Sequence, residues 1–199
     1  RPVRLIGAGA GATRIDALGR GPVLTLNGYR QEETWLEGLT LTGGRAETGA
    51  AVDAGKNGLS LIDCRITTNS AGGGGIVQGG RGLVGGTLFE DNAAFQGGAL
   101  ANYIGEARDC VFRGNTAYQG GALFRCELTD ARRLAFLENT ADQGGACFET
   151  WADLVQCHMD GNEALEGGVL YRQVGAIEQC TAIGNSARRG GAFHQCHGS

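Results

Sequence analysis

The sequence is poor in lysine and proline and lacks any long apolar run. Only one of its 17 basic residues, Lys56, is a lysine, and the net charge is −4. A basic footprint is therefore missing, which argues against nucleic acid as a partner. No apolar run approaches the roughly 20 residues of a membrane-spanning helix, so no membrane span is predicted. With 2 prolines, and glycine not at every third position, the chain is not collagen.

Glycine is abundant, with 37 residues among 199. The hydrophobic fraction of 42% and the charged fraction of 19% argue against disorder. The length suits one domain with a real core, so we predict a single domain over residues 1–199. The 7 cysteines are an odd number, so at least one has no partner within the chain.

An asparagine recurs every 23 or 24 residues. Alanine stands two residues after each asparagine, and a glycine pair stands five and six residues after it, from Gly74-Gly75 to Gly190-Gly191. Mostly apolar residues stand three, five and eight positions before it. The recurring asparagines are Asn69, Asn92, Asn115, Asn139, Asn162 and Asn185.

These short apolar segments, with alternating character and terminal glycines, indicate strands and turns. Helical repeats are longer, usually about 33 residues, and avoid paired glycines. The repeat therefore predicts an all-β fold, a single-stranded parallel β-helix of about seven turns. Stacked turns would bring the six asparagines into one amide ladder, and each glycine pair would form the bend after it.

The first part of the chain is a degenerate version of the same repeat. Gly44 occupies the asparagine position and Ala46 the alanine position. We expect degenerate opening turns over 1–44, with a protruding loop near 27–34, and regular repeats over 45–199. Neither end carries a recognisable cap, so both ends of the rod are expected to be open.

The repeat has the form F-x-x-N followed by G-G-A-[ILV], as in Phe112 to Asn115 and then Gly120 to Leu123. It resembles the repeat of the chlamydial polymorphic outer membrane proteins over about residues 36–199. The unit around Met159 and Asn162 departs from this motif at the aromatic position and at the alanine. The resemblance implies a right-handed β-helix that is secreted or exposed on the cell surface, as an adhesin or a passenger. The right-handed bias of parallel crossovers supports the same handedness.

An aromatic column lies nine residues after the asparagines. Its neighbours form a second apolar column that includes Leu100, Leu123 and Leu170. Because alternate residues of a strand point to opposite faces, one column should lie outside as a contact stripe. The alternative is a local bulge that buries both columns. The candidate contact stripe consists of Phe124, Phe148, Tyr171 and His194.

His194, Cys196 and His197 are weak candidate metal ligands, because a fourth ligand is missing and a frayed terminal strand with polar residues facing water is the favoured explanation. We predict no metal and no cofactor. The recurring cysteines at Cys64, Cys110, Cys157 and Cys180 are expected to point inward. Gln96, Gln119 and Gln143 form either an outer amide ladder or a sugar-binding strip.

Pectate lyases and polygalacturonases share the parallel β-helix, so an enzyme must be considered. Asp63 and Asp109 share one column, with Asp91, Glu138 and Asp160 nearby, but no irregular loops would wall a cleft. We therefore predict no catalytic residue. The sequence favours a non-enzymatic extracellular or cell-surface rod, either an adhesin-like passenger or a subunit of end-to-end filaments. Its partner would be itself, by head-to-tail stacking, or a surface or host ligand. The alternative is a polysaccharide-binding or polysaccharide-degrading β-helix.

Overall fold

The computed structural model describes residues 3–27 and 33–197. Within these ranges every strand pairing is parallel and no helix forms. The chain winds as an all-β solenoid of about eight turns of about 23 residues. The predicted fold is confirmed, with one turn more than expected, while the right-handed sense of winding stays a prediction.

The first sheet has 14 strands in two rows, joined by the long strands Val52–Ile62 and Val77–Gly85. The short row comprises Leu24–Thr25, Leu100–Ala101, Leu123–Phe124, Cys147–Phe148, Leu170–Tyr171 and Phe193–His194. The long row comprises Val3–Ile6, Glu33–Glu37, Ile104–Arg108, Glu127–Arg132, Trp151–Val155 and Ile177–Glu178.

The second and third sheets close each turn. The 8-stranded second sheet comprises Arg14–Asp16, Thr40–Thr42, Arg65–Thr67, Leu88–Glu90, Val111–Arg113, Ala135–Leu137, His158–Asp160 and Thr181–Ile183. The third sheet comprises the pair Arg45–Ala46 and Ser70–Ala71 and the four strands Thr116–Gln119, Thr140–Gln143, Glu163–Glu166 and Ser186–Arg189. Single bridges at Ala93 join its two parts.

Four bends shape each regular turn, and one residue at each bend adopts a positive φ. In one turn these are Asp109 at 56°, Gly114 at 61°, Gly120 at 64° and Arg125 at 48°. This left-handed conformation is free for glycine and is tolerated by short polar residues, which explains the glycines and the aspartates at these positions. The bends therefore fix four straight segments per turn.

The inward columns form one continuous core. The rings of Phe89, Phe112 and Phe136 stack at centroid distances of 5.1 Å. Cys64, Cys110 and Cys157 are buried, as expected for the cysteine column, and Cys180 near the end is half-buried. All seven cysteines are free thiols.

The opening turns join the same ladders. Arg14–Asp16, which we did not expect to be a strand, pairs with Thr40–Thr42 at the end of the 8-stranded second sheet. Ala46 pairs with Ala71, in agreement with the sequence alignment of the degenerate turn. Residues 28–32 of the predicted loop at 27–34 lie outside the described ranges, and Glu33 already belongs to a strand.

Candidate functional site

The asparagine column forms the predicted ladder. The Asn115 amide Nδ2 donates to the Asn139 Oδ1 at 3.1 Å and to the Phe89 carbonyl at 3.0 Å, and the Asn115 backbone N–H donates to the same Oδ1 at 3.1 Å. The ladder begins where the Gly44 N–H donates to the Asn69 Oδ1 at 2.8 Å. Because the inner rungs are buried and hydrogen-bonded along the rod, these residues stabilise the fold.

The three aromatic residues of the candidate contact stripe are buried and His194 at its end is half-buried, so the expectation of an exposed apolar stripe is wrong. Phe124, Phe148 and Tyr171 expose 2%, 3% and 6% of their surface, and the neighbouring column at Leu123 and Leu170 is fully buried. The structure therefore realises the alternative in which both columns are covered.

The corner glycines explain how the aromatic column is buried outside the main core. A Cβ atom added at Gly97 would lie 2.3 Å from the Leu100 carbonyl oxygen and 3.1 Å from the Cβ of Phe124, so glycine allows this close approach of the backbone and the aromatic column. From the solvent side, the Arg125 guanidinium carbon lies 5.0 Å from the centre of the Phe124 ring, and that of Arg172 lies 5.4 Å from the Tyr171 ring. Glycine on one side and arginine on the other thus enclose the rings.

The candidate metal ligands point in different directions. The His194 ring stacks on Tyr171 with a centroid distance of 5.3 Å. The Cys196 thiol faces the carbonyl of Leu170 at 3.8 Å, and the exposed His197 ring contacts the carbonyl of Gln195 at 3.0 Å. Among the residues that the structure describes, no three metal-ligating side chains converge on a common point.

Several outer carboxylates are paired with arginine. The Arg133 Nη2 donates to the Asp109 Oδ2 at 2.9 Å, and its hydrogen bonds hold the pKa of Asp109 below the ordinary value. Glu90 is buried between Arg65 and Arg113, and the hydrogen bond from Arg113 in particular lowers its pKa. A general acid needs the opposite shift, so these paired carboxylates are poorly suited to donate a proton.

The glutamine column forms an amide ladder that ends in an ion pair. The Nε2 of Gln119 donates to the Oε1 of Gln143 at 3.0 Å, and Gln143 in turn donates to Glu166 at 3.2 Å. Glu166 accepts a further hydrogen bond from Arg189 at 2.8 Å. The side chains of this strip are therefore engaged with one another.

A groove that the sequence did not reveal runs along the long row of the first sheet. Four cavities, of about 520, 550, 350 and 590 Å³, follow one another on this side of the rod. The first two cavities share Lys56, and the last two share Trp151. Ile104 of the second cavity and Glu127 of the third are paired on neighbouring strands. The column along the groove is Arg81, Ile104, Glu127, Trp151, Val174 and His197.

Trp151 is the largest exposed apolar side chain of this groove, at 45% exposure, and Val174 beside it is 42% exposed. An ordered polar wall flanks them. Glu149 accepts hydrogen bonds from Arg125 at 2.8 Å and from Arg172 at 3.0 Å. The sequence repeat did not reveal the column from Arg81 to His197, because no residue type recurs along it.

No protein-family model, curated protein or solved structure matches the chain. The fold and its side-chain columns define a parallel β-solenoid, and the chlamydial resemblance rests on the repeat motif alone. None of the described residues forms a helix that could span a membrane.

Proposed function

We propose that this protein is a non-enzymatic structural rod outside the cell or on its surface, as an adhesin-like passenger or as a subunit of end-to-end filaments. The observation that carries the proposal is the continuity of the buried asparagine ladder from Asn69 to Asn185. Each rung repeats the same hydrogen bonds, and the turns on either side hold it in place. Such an arrangement supports an extended, stiff object.

The outer columns support the same function. The bends carry ion pairs and amide contacts between successive turns, such as Arg125 with Glu149 and Gln156 with Gln179. These contacts use polar side chains to link turns along the rod. The pKa values of several arginine-paired carboxylates are lowered, which disfavours them as the general acid that a polysaccharide hydrolase needs.

The last described turn leaves apolar side chains partly uncovered. Phe193 is 42% exposed and Ile177 is 37% exposed, whereas their counterparts one turn earlier, Leu170 and Leu154, are fully buried. A further turn would cover these side chains and pair the open strand edges. That turn could be supplied by more of the same polypeptide or by a second copy.

Electron microscopy with light scattering, over a range of concentrations and with and without reductant, tests the proposal. We expect rods, with an axial repeat on the order of 40 Å wherever they join end to end. A monomeric rod at every concentration would exclude the filament form of the proposal and would retain the surface-rod form. Compact particles without rod shape would contradict both forms.

The non-enzymatic part is tested by incubating the protein with polygalacturonate and with neutral glucans, with and without Ca²⁺. We expect no new reducing ends and no unsaturated products. Turnover that disappears in the Asp109→Asn or Glu90→Gln variant would overturn this part. Protease accessibility on intact cells tests the surface location, since a cytoplasmic protein would stay protected.

A further inference from the structure

We propose that the groove along the long row binds a linear, neutral glycan lying parallel to the rod axis. The proposal goes beyond the structural role, because a rod needs no ligand on its side. It is argued from the direction of the groove, from its charges and from Trp151.

The direction of the groove sets the shape of the ligand. The column from Arg81 to His197 crosses successive strands, so the groove runs along the rod. Its positions recur at the spacing of parallel strands, roughly 4.8 Å. A linear glycan in extended form repeats at a similar distance, so one sugar ring would meet each turn.

The charges select a neutral ligand. The four cavities are lined by three positive and three negative side chains, so no excess of either sign would attract a uronate polymer or a nucleic acid. Amide side chains, which bind hydroxyl groups without a charge, also line the cavities. The charged lining residues are Lys56, Arg81, Arg172, Asp53, Glu127 and Glu149. The amides are Asn27, Asn57, Gln78, Asn102 and Gln195.

Trp151 supplies the apolar surface that a sugar ring requires. It lines two consecutive cavities, so a chain that follows the groove must pass over its exposed side chain. A tryptophan offers a large apolar face and an indole N–H donor, which suits a ring with one apolar face and a rim of hydroxyls. Arg172 is oriented by Glu149 and donates to Gln195 at 3.0 Å, so the neighbouring polar wall is already ordered.

A peptide fits this groove less well. Extended peptides bind by adding a strand to an open sheet edge. Along the groove the strand backbones are paired with the turns before and after them, as Glu127 is with Ile104 and Trp151. Side chains are therefore the main contact surface on this side of the rod.

The chain contains two tryptophans, which allows a direct measurement. In the Trp35→Phe variant, Trp151 is the sole tryptophan, and its fluorescence reports on the groove. We expect a saturable change on adding cellohexaose or chitohexaose, with weaker binding of the dimers. Polygalacturonate and a polyanionic peptide should give no such change.

The Trp151→Ala variant should bind the better hexasaccharide about tenfold more weakly or worse by calorimetry. The matched control is Tyr118→Ala, which removes an aromatic ring of similar exposure, 48%, from the third sheet. We expect this control to bind like the parent protein, with both variants showing the parent circular dichroism spectrum.

Absence of binding by both hexasaccharides would overturn the inference, as would preferred binding of polygalacturonate or peptide. Equal weakening by Tyr118→Ala would place the site on the third sheet and would overturn it too. Electron microscopy of the same samples distinguishes failure of this inference from failure of the proposed function. Intact rods that bind no glycan would contradict glycan binding in the groove but not the structural role of the rod.

Discussion

At the scale of single residues, the ladder explains why asparagine recurs and not aspartate. The Asn115 Oδ1 accepts hydrogen bonds from the backbone N–H and the Nδ2 of Asn92, at 3.2 and 3.0 Å, while its own Nδ2 donates onward. Aspartate could accept but not donate, and a column of buried carboxylates would repel itself. The carboxamide is thus the side chain that can occupy every rung.

Removal of a central rung should cost more than removal of the last one. We expect Asn115→Ala to lower the free energy of unfolding by about 3 kcal/mol, because buried donors of Asn92 lose their acceptor. Asn185→Ala should cost about 1 kcal/mol, because Asn185 is half-buried and water can replace part of its bonding. Urea unfolding measures both. Equal losses would contradict a continuous ladder.

The ion pair at Glu90 gives a pH-dependent prediction. Hydrogen bonds from Arg113 and from Arg65 lower the pKa of Glu90 in the folded state, although burial acts in the other direction. Its contribution is therefore present above the unfolded pKa of about 4.3 and is lost as the pH falls through the folded value. We expect Glu90→Gln to cost about 2 kcal/mol at pH 7 and progressively less below pH 4.

Urea unfolding between pH 7 and pH 2.5 tests the Glu90 prediction. The control is Glu163→Gln, which removes one carboxylate from an exposed strand position. This control should change the stability by less than about 0.5 kcal/mol. A Glu90→Gln deficit that stays constant down to pH 2.5 would show that the loss is not electrostatic.

At the scale of strands and bends, the corner glycines combine two requirements. Gly120 has a φ of 64°, and a Cβ atom placed there would lie 2.0 Å from the Leu123 carbonyl oxygen. Gly55 has a φ of 55° but has no atom near an added Cβ. The comparison separates the cost of the backbone conformation from the cost of the clash.

We expect Gly55→Ala to cost about 1 kcal/mol, from the left-handed conformation alone. Gly120→Ala should cost roughly 3 kcal/mol or more, because the backbone must also move away from the new methyl group. Thermal and urea unfolding of the two variants measure the difference. Equal costs would show that the bend at Gly120 relaxes without disturbing the aromatic rings.

The repeat spacing in the sequence predicted those elements whose residues recur in every turn. It did not predict the elements that lack a recurring residue. The asparagine and inward columns could be predicted because each turn meets the same neighbours, so the same side chain fits each time. Arg14–Asp16 was missed because it is short and carries no motif. The burial of Phe124 was missed because strict alternation ignores the bend at Arg125, where φ is positive. The groove at Trp151 was missed because it depends on the three-dimensional shape of the surface, which the spacing of residues in the sequence does not indicate.

At the scale of the whole molecule, each turn fills the space beside a glycine of the turn before it. A Cβ atom added at Gly145 would lie 2.2 Å from the carbonyl oxygen of Gly168, and one added at Gly168 would lie 2.1 Å from that of Gly191. An added Cβ at Gly191 meets nothing within 4 Å among the described residues. The tolerance of this position to a methyl group therefore reports whether another turn packs on it.

We expect Gly191→Ala to leave the unfolding free energy of the isolated chain within about 0.5 kcal/mol of the parent value. If copies stack in the register of the ladder, the same methyl group would clash with the carbonyl of the added turn and end-to-end filaments would disappear. Light scattering and electron microscopy measure filament formation, and urea unfolding measures the stability of the fold. Gly168→Ala is the control, because its clash lies inside the rod and should destabilise the monomer. Unchanged filaments from the Gly191→Ala protein would exclude stacking in this register and would move the search for partners to the side of the rod.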